Sequence, residues 1–150
     1  MVVKELLCAV DIDSALMEYY LEGIEPFIII LVDWSDNLRF IEFVWDGNLR
    51  HIQELPLEAH IWSSSPLYDE AMRQSRLKWF KDFLKTEASS ENLLKFHHSG
   101  GEGNPEVDLI MDRGFVKTQS ITQIINFQHY TKMVYEDLTT GIITEREIKT

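Results

Sequence analysis

The sequence is poor in cysteine and has no long apolar segment. Its 150 residues contain one cysteine, Cys8, which excludes an internal disulfide and a metal site built from several thiolates. The longest apolar run covers residues 27–32, whereas a membrane-spanning helix needs about 18 such residues. The first residues show no secretion-signal pattern. These absences predict a cytoplasmic protein in a reducing setting, without membrane contact.

Basic charge is also scarce. The 25 Asp and Glu residues outnumber the 14 Lys and Arg residues, which gives a formal net charge of −11. A nucleic-acid-binding protein normally presents a basic face, but the cationic residues of this chain are scattered. The hydrophobic content of 45% is enough for a folded core, so disorder is excluded. The length predicts a single domain over residues 1–150, with no nucleic-acid partner.

The strongest local pattern lies in residues 61–84, where a serine-rich turn precedes an amphipathic helix. Ser65 or Asp69 can cap the helix, and Pro66 suits its first position. Apolar and small residues then recur at steps of four and three, which places them on one helix face. These residues are Tyr68, Met72, Ser75, Trp79 and Phe83, with Phe80 and Leu84 beside them.

Arg76 interrupts this apolar face between Phe80 and Phe83. One interpretation is a salt-bridged arginine, or one whose charged end snorkels to water. The other is a contact between the guanidinium and an anion or carboxylate in a pocket. The sequence leaves both interpretations open.

The remaining patterns predict helices and antiparallel strands in separate blocks. An apolar helix is predicted over residues 2–9, with Cys8 on its buried face. A second helix is predicted to begin with Asp11 or Asp13 as its cap and to end at Gly23. Ser89 or Ser90 caps a later helix that ends at Gly100, and a helical turn follows. The predicted helical turn covers residues 107–111. The predicted strands cover residues 27–34, 38–45, 49–55, 61–64, 115–125, 132–138 and 142–148.

The order of these segments favours an α+β fold. Asp46-Gly47 predicts a tight turn between two strands, because glycine accepts the positive φ that such a turn demands. Residues 27–32 read as a buried strand, and the more polar strand 49–55 reads as one near an edge. Clustered antiparallel strands with separate packed helices are typical of α+β rather than of parallel α/β proteins.

Two groups of side chains are candidates for chemistry. Ser63 and Ser64 stand before the central helix, but they lack the glycine frame of a nucleophile elbow, so a structural role is the simpler interpretation. His97 and His98 point about 100° apart on a helix, so one metal ion cannot easily take both. Ser120 belongs to a polar row that lines a cleft or forms the outer face of a strand. The other members of that row are Thr118 and Thr122.

Five collinear motifs carry a family resemblance. Together they resemble the C-terminal part of the NRDE proteins, the transport and Golgi organisation 2 family, particularly the bacterial members. The motifs are IEPFIIILVDW (residues 24–34), VWDG (44–47), HIWSSSPLYDEAMRQSRLKWF (60–80), FHHSGGEGNPEVDLIMDRG (96–114) and KTQSITQI (117–124).

The resemblance implies part of a four-layer αββα sandwich, as in N-terminal-nucleophile hydrolases. Members of the family begin Met-Cys, and that cysteine is the expected nucleophile. Here position 2 is Val2, and no Asn-Arg-Asp-Glu string occurs. We therefore expect this chain to be the C-terminal portion of a larger NRDE-type domain, with no catalytic residue of its own.

The resulting hypothesis is a non-catalytic portion that shapes a cleft for a small molecule. The candidate lining is Ser63, Ser64, Arg76, His97, His98 and Ser120. One alternative is an amide or thioester hydrolase that forms when the missing N-terminal half is present. Another is a protein that binds haem or a hydrophobic ligand, with His97 and His98 as axial ligands. No other cofactor is expected, and a homodimer or the missing half would cover the exposed sheet face.

Overall fold

The computed structural model describes residues 2–63, 68–127 and 129–149. It has an α+β fold with two three-stranded antiparallel sheets, as the sequence predicts. The chain divides into two compact units, Met1–His60 and Ile61–Thr150, and each contains one sheet. The single-domain assignment stays a prediction.

The secondary structure follows the predicted order. The first unit contains α1 (Val2–Leu7), α2 (Ile12–Glu18), β1 (Phe27–Asp33), β2 (Arg39–Trp45) and β3 (Arg50–Leu55). The second contains α3 (Glu70–Phe83), α4 (Ser90–Ser99), β4 (Ser120–Asn126), β5 (Tyr130–Asp137) and β6 (Ile143–Lys149).

The core of the first unit lies between its helices and one face of its sheet. Because alternate residues of a strand point to the same side, Ile41 and Phe43 of β2 both face this core. The ring of Phe43 meets that of Phe27 edge-on, with their centroids 5.2 Å apart. The buried residues of this core are Leu6, Leu16, Leu21, Ile41 and Phe43.

Two arginines attach α2 to the sheet. Arg39 donates from both terminal nitrogens to the Asp13 carboxylate, and each bond is 2.9 Å long. Arg50 donates to the carbonyls of Leu16, at 2.8 Å, and of Tyr19. These carbonyls belong to the end of the helix, where backbone acceptors lack a partner within the helix. The helix therefore ends at Glu18, before the Gly23 that the sequence predicts as its end.

The turn between β2 and β3 matches its prediction. The Asp46 carboxylate accepts hydrogen bonds from the backbone N–H groups of Asn48, at 2.8 Å, and Leu49, at 2.7 Å. Gly47 has a φ of +95°, which a side chain would disfavour. The two backbone bonds, together with His51, lower the pKa of the Asp46 carboxyl to about 2.

Strand β1 does not occupy the buried position predicted for residues 27–32. The strand order is β1-β2-β3, so β1 lies at an edge of its sheet. Ile28 is 51% exposed and Val32 is 45% exposed, on the face of the sheet opposite the core. The edge position predicted for β3 is confirmed. A continuous apolar run cannot distinguish a strand covered on both faces from one covered on one face.

The two helices of the second unit meet through aromatic side chains. Asp69 caps α3 by accepting from the Met72 N–H at 2.8 Å, whereas Ser65 and Pro66 lie outside the described residues. The centroid of the Phe96 ring in α4 lies 5.0 Å from that of Phe83 and 5.9 Å from that of Phe80. Leu84, expected on the apolar face, is exposed just after the helix.

Three predicted elements of this unit differ from the structure. Residues 61–63 form no strand, and Ser64 lies outside the described residues. Residues 107–111 form no helix. The Asp108 N–H bonds to the Asn104 carbonyl in a single turn, but the Leu109 N–H donates to the Gly100 carbonyl, so the helical hydrogen-bond pattern stops there. β4 begins at Ser120 rather than at residue 115, whereas the hairpin of β5 and β6 is confirmed.

Candidate functional site

The predicted lining residues fall at separate places in the second unit. Ser63 and Arg76 line one pocket, and His97 lines another. His98 bonds to a neighbouring strand, and Ser120 is the first residue of β4. Ser64 lies outside the described residues. Among the members of the set that the structure describes, Ser63 and Arg76 therefore form the one pair that shares a pocket.

Arg76 is the most enclosed charged residue of this unit, with 6% of its surface exposed. Its Nε and Nη2 donate to the Val107 carbonyl at 3.3 and 3.1 Å, and Nη2 donates to the Asp108 carbonyl at 2.7 Å. The guanidinium carbon lies 3.8 Å from the centre of the Tyr68 ring, which is a cation–π contact. Burial lowers the pKa of Arg76.

These contacts differ from the first interpretation of Arg76 offered by the sequence, and the anion contact stays a prediction. The side chain does not snorkel, because it is buried, and its hydrogen bonds end on backbone carbonyls rather than on a carboxylate. Tyr68 precedes the Asp69 cap of α3, so the chain places its ring over Arg76 from outside the helix, and helical spacing does not indicate the contact. The two carbonyls come from a distant loop and have no sequence signature.

The segment that supplies these carbonyls, residues 100–109, is tightly built. The Leu109 N–H donates to the Gly100 carbonyl at 2.9 Å. A Cβ atom on Gly101 would lie 2.1 Å from Oδ1 of Asp108, the same oxygen that accepts from the Glu102 N–H. The glycines therefore permit close packing of the segment on itself. This packing fixes the carbonyls that hold Arg76.

The first pocket, the α3 pocket, has a volume of about 190 Å³. It is polar, but two of its charged groups, Arg73 and Glu70, already bond to each other. Arg73 donates to Glu70 at 3.1 Å and to the Tyr68 carbonyl at 2.9 Å, while Gln74 donates to Glu70 at 2.7 Å. The bonds from Gln74 and Arg73 lower the pKa of Glu70. The lining residues are Ile61, Ser63, Glu70, Arg73, Gln74, Arg76 and Leu77.

The second pocket, the α4–β4 pocket, has a volume of about 130 Å³ between the helix and the edge strand. Its lining is mainly aliphatic, with His97, Thr122 and Gln123 as the polar members. The Gln123 amide donates to the Ser90 carbonyl at 2.7 Å, which fastens β4 to the start of α4. The aliphatic members are Leu93, Leu94, Ile121 and Ile124.

The orientation of the His97 ring determines its chemistry. Nδ1 lies 3.0 Å from the Leu93 carbonyl oxygen, which can only accept, so Nδ1 carries the hydrogen. The neutral ring then has its lone pair on Nε2. No hydrogen bond to Nε2 occurs among residues 2–63, 68–127 and 129–149. Imidazoles that bind metals commonly have this arrangement, with the other ring nitrogen donating to a carbonyl.

His98 has a different environment from its neighbour. Its Nε2 lies 2.9 Å from Oε2 of Glu136 on β5, and this pair joins α4 to the sheet. The two histidines therefore diverge, as predicted from the helix geometry. Within the part of the chain that the structure describes, no group of three His, Cys, Asp or Glu residues is placed to hold a metal ion.

The polar row proposed around Ser120 is only partly formed. Ser120 and Thr122 lie on one face of β4, and Thr122 lines the α4–β4 pocket. Thr118 precedes the strand, and its hydroxyl accepts from the Met111 N–H at 2.9 Å and donates to the Leu109 carbonyl at 3.3 Å. Its role is to hold the segment before β4.

Cys8 differs from its prediction, since it is exposed in the turn after α1 rather than buried. The helix ends at Leu7, so the side chain is not carried on the apolar helix face. The described helices also include none that is long and apolar enough to cross a membrane.

We predict that removing the Arg76 guanidinium destabilises the second unit. Arg76→Met should lower the free energy of unfolding by about 2–4 kcal/mol, because it leaves the partly buried carbonyls of Val107 and Asp108 without donors. Arg76→Lys should recover part of this loss, since an ammonium cannot match the planar fork. Urea unfolding followed by circular dichroism measures both effects.

The matched control is Lys78→Met, on the exposed side of the same helix. It should change the free energy of unfolding by less than about 0.5 kcal/mol. Equal effects of Arg76→Met and Lys78→Met would contradict the structural role of Arg76.

Comparisons of the chain with protein-family models, with curated proteins and with solved structures found no match.

Proposed function

We propose that this chain is a non-catalytic C-terminal portion of an NRDE-type protein that shapes a ligand cleft in the cytoplasm. The five collinear motifs support the family, and the pair of antiparallel sheets is compatible with part of an αββα sandwich. In the first unit, helices pack on one face of the sheet, while Ile28 and Val32 remain exposed on the other. A sheet within such a sandwich needs these two different faces.

The α4–β4 pocket is the observation that carries the ligand-binding proposal. Its aliphatic walls suit a small apolar group, and Nε2 of His97 offers one hydrogen-bond acceptor. The volume of about 130 Å³ is below the range of roughly 300–1,000 Å³ that encloses drug-sized ligands. The pocket is therefore proposed to hold one part of a larger ligand.

The hydrogen bonds of the histidines support a non-catalytic role. A serine or cysteine nucleophile needs a base within hydrogen-bond reach. The ring nitrogens of His51, His97 and His98 bond to Asp46, to the Leu93 carbonyl and to Glu136, and none of these bonds reaches a serine or cysteine side chain.

We expect the purified chain to show no multiple-turnover hydrolysis of activated esters, acyl thioesters or anilides. A spectrophotometric panel measures this, with Cys8→Ser as the matched control because Cys8 is exposed. Any stoichiometric acylation of the Cys8 thiol should disappear in the control. Sustained turnover by Cys8→Ser would contradict the non-catalytic role and favour the hydrolase alternative.

His97 also gives specific support to haem binding as a second candidate. Its Nε2 lone pair suits an axial ligand, with Nδ1 held by the Leu93 carbonyl. The adjoining pocket does not fit a whole porphyrin, since about 130 Å³ accommodates only an edge of the ring. A haem group would therefore have to bind largely on the surface, beside α4.

The adjacent histidines allow a controlled test of this candidate. If haem binds, the shift of its Soret band should be lost in His97→Ala and retained in His98→Ala, because His98 is occupied by Glu136. Absorbance titration of the three proteins measures the shift. The haem candidate fails if the parent protein produces no shift, or if His98→Ala rather than His97→Ala removes it.

A further inference from the structure

Strand β1 combines an open edge with an almost entirely apolar sequence. Six of its seven residues, FIIILVD, are apolar, and only the last, Asp33, is charged. β2 pairs with one side of β1, and no strand in residues 2–63, 68–127 or 129–149 pairs with the other. Such an edge exposes a row of backbone donors and acceptors that can pair with another chain.

The other edge strands are better protected against pairing. Charged side chains on an edge strand normally discourage contact with another sheet. β6 carries four of them, and β3 carries both signs of charge. β4 is uncharged, but it contains Ser, Thr, Gln and Asn, and α4 lies against it through the Gln123–Ser90 bond. β1 is therefore the edge with the most apolar surface and the least protection.

We propose that β1 pairs antiparallel with β1 of a second copy of this chain, about a two-fold axis at Ile30. The two sheets of the first units then join into one six-stranded sheet. In this register Ile30 faces the partner's Ile30, Ile28 faces the partner's Val32, and Ile29 faces the partner's Leu31. Ile and Val are enriched in strands because their side chains pack well against cross-strand neighbours.

Charge supports a second copy as the occupant. The end pair joins Phe27 to the partner's Asp33, so the register places no two like charges opposite each other. The same operation on β6 fails, because an axis at Glu145, Arg146 or Glu147 places that residue opposite its own copy. Like charges directly opposite each other destabilise a strand pair.

The exposed side chains of β1 would gain cover from this pairing. Ile28 and Val32 lie on the same face, two residues on either side of Ile30, and about half of each is exposed. Both side chains would approach their counterparts across the axis. The sequence predicts a buried strand, whereas these side chains of β1 are half exposed. Pairing with a second copy would reduce their exposed surface.

The test is the molar mass in solution, measured by light scattering after size-exclusion chromatography. The parent chain, 17.6 kDa as a monomer, should elute with twice that mass at about 100 μM. Ile28→Lys should weaken the association at least about tenfold, because a lysine at this edge opposes pairing. Val32→Lys, on the other side of Ile30, should act in the same way and provides a second variant if the first fails to fold.

Gln53→Lys is the matched control, because Gln53 is exposed on the same face of the sheet but lies on the opposite edge. It should leave the dimer intact, with circular dichroism confirming that all variants fold.

A monomeric parent at about 100 μM would overturn the proposal. Equal loss of the dimer in Gln53→Lys would also overturn it, since that result indicates face-to-face rather than edge pairing. Retention of the dimer in both β1 variants would do the same. This test is independent of the proposed ligand-binding function.

Discussion

The buried guanidinium of Arg76 imposes the main constraint on the second unit. A buried charge must be hydrogen-bonded, and here the donors of Arg76 end on the carbonyls of Val107 and Asp108. Those carbonyls can take their positions only if the preceding segment folds tightly, which Gly100 and Gly101 permit. One arginine thereby links α3 to a segment about thirty residues later in the chain. The two helices also pack directly, because the Phe96 ring of α4 contacts the Phe80 and Phe83 rings of α3.

The same constraint bears on function. Arg76 would be the natural group to bind an anion, but its bonds to the backbone already define its position. Arg73 is similarly paired with Glu70, and His98 with Glu136. His97 differs, because its bond to the Leu93 carbonyl uses Nδ1, so Nε2 can accept a hydrogen bond from a ligand. The proposed cleft therefore depends on one histidine and on aliphatic walls rather than on a cluster of charges.

Sequence patterns predicted most of the fold because they act locally. The Asp46-Gly47 turn and the Asp69 cap depend on neighbouring backbone groups, so their residues carry the signal. The edge position of β1 depends on strand order, which an apolar run does not encode. The candidate site was harder to predict, since the contacts of Arg76 and His98 come from distant segments. Hydrogen bonds between distant segments leave no repeating pattern of residues in the sequence from which they could be predicted.

The bonds of Arg76 can be tested directly by nuclear magnetic resonance of its side chain. A buried guanidinium held by two backbone carbonyls should show a slowly exchanging Nε–H signal at neutral pH, with restricted rotation of its terminal nitrogens. We predict a distinct, protected Nε–H resonance for Arg76 that Arg76→Lys removes. A rapidly exchanging Nε–H, as in a solvated arginine, would contradict the structural role assigned to this side chain.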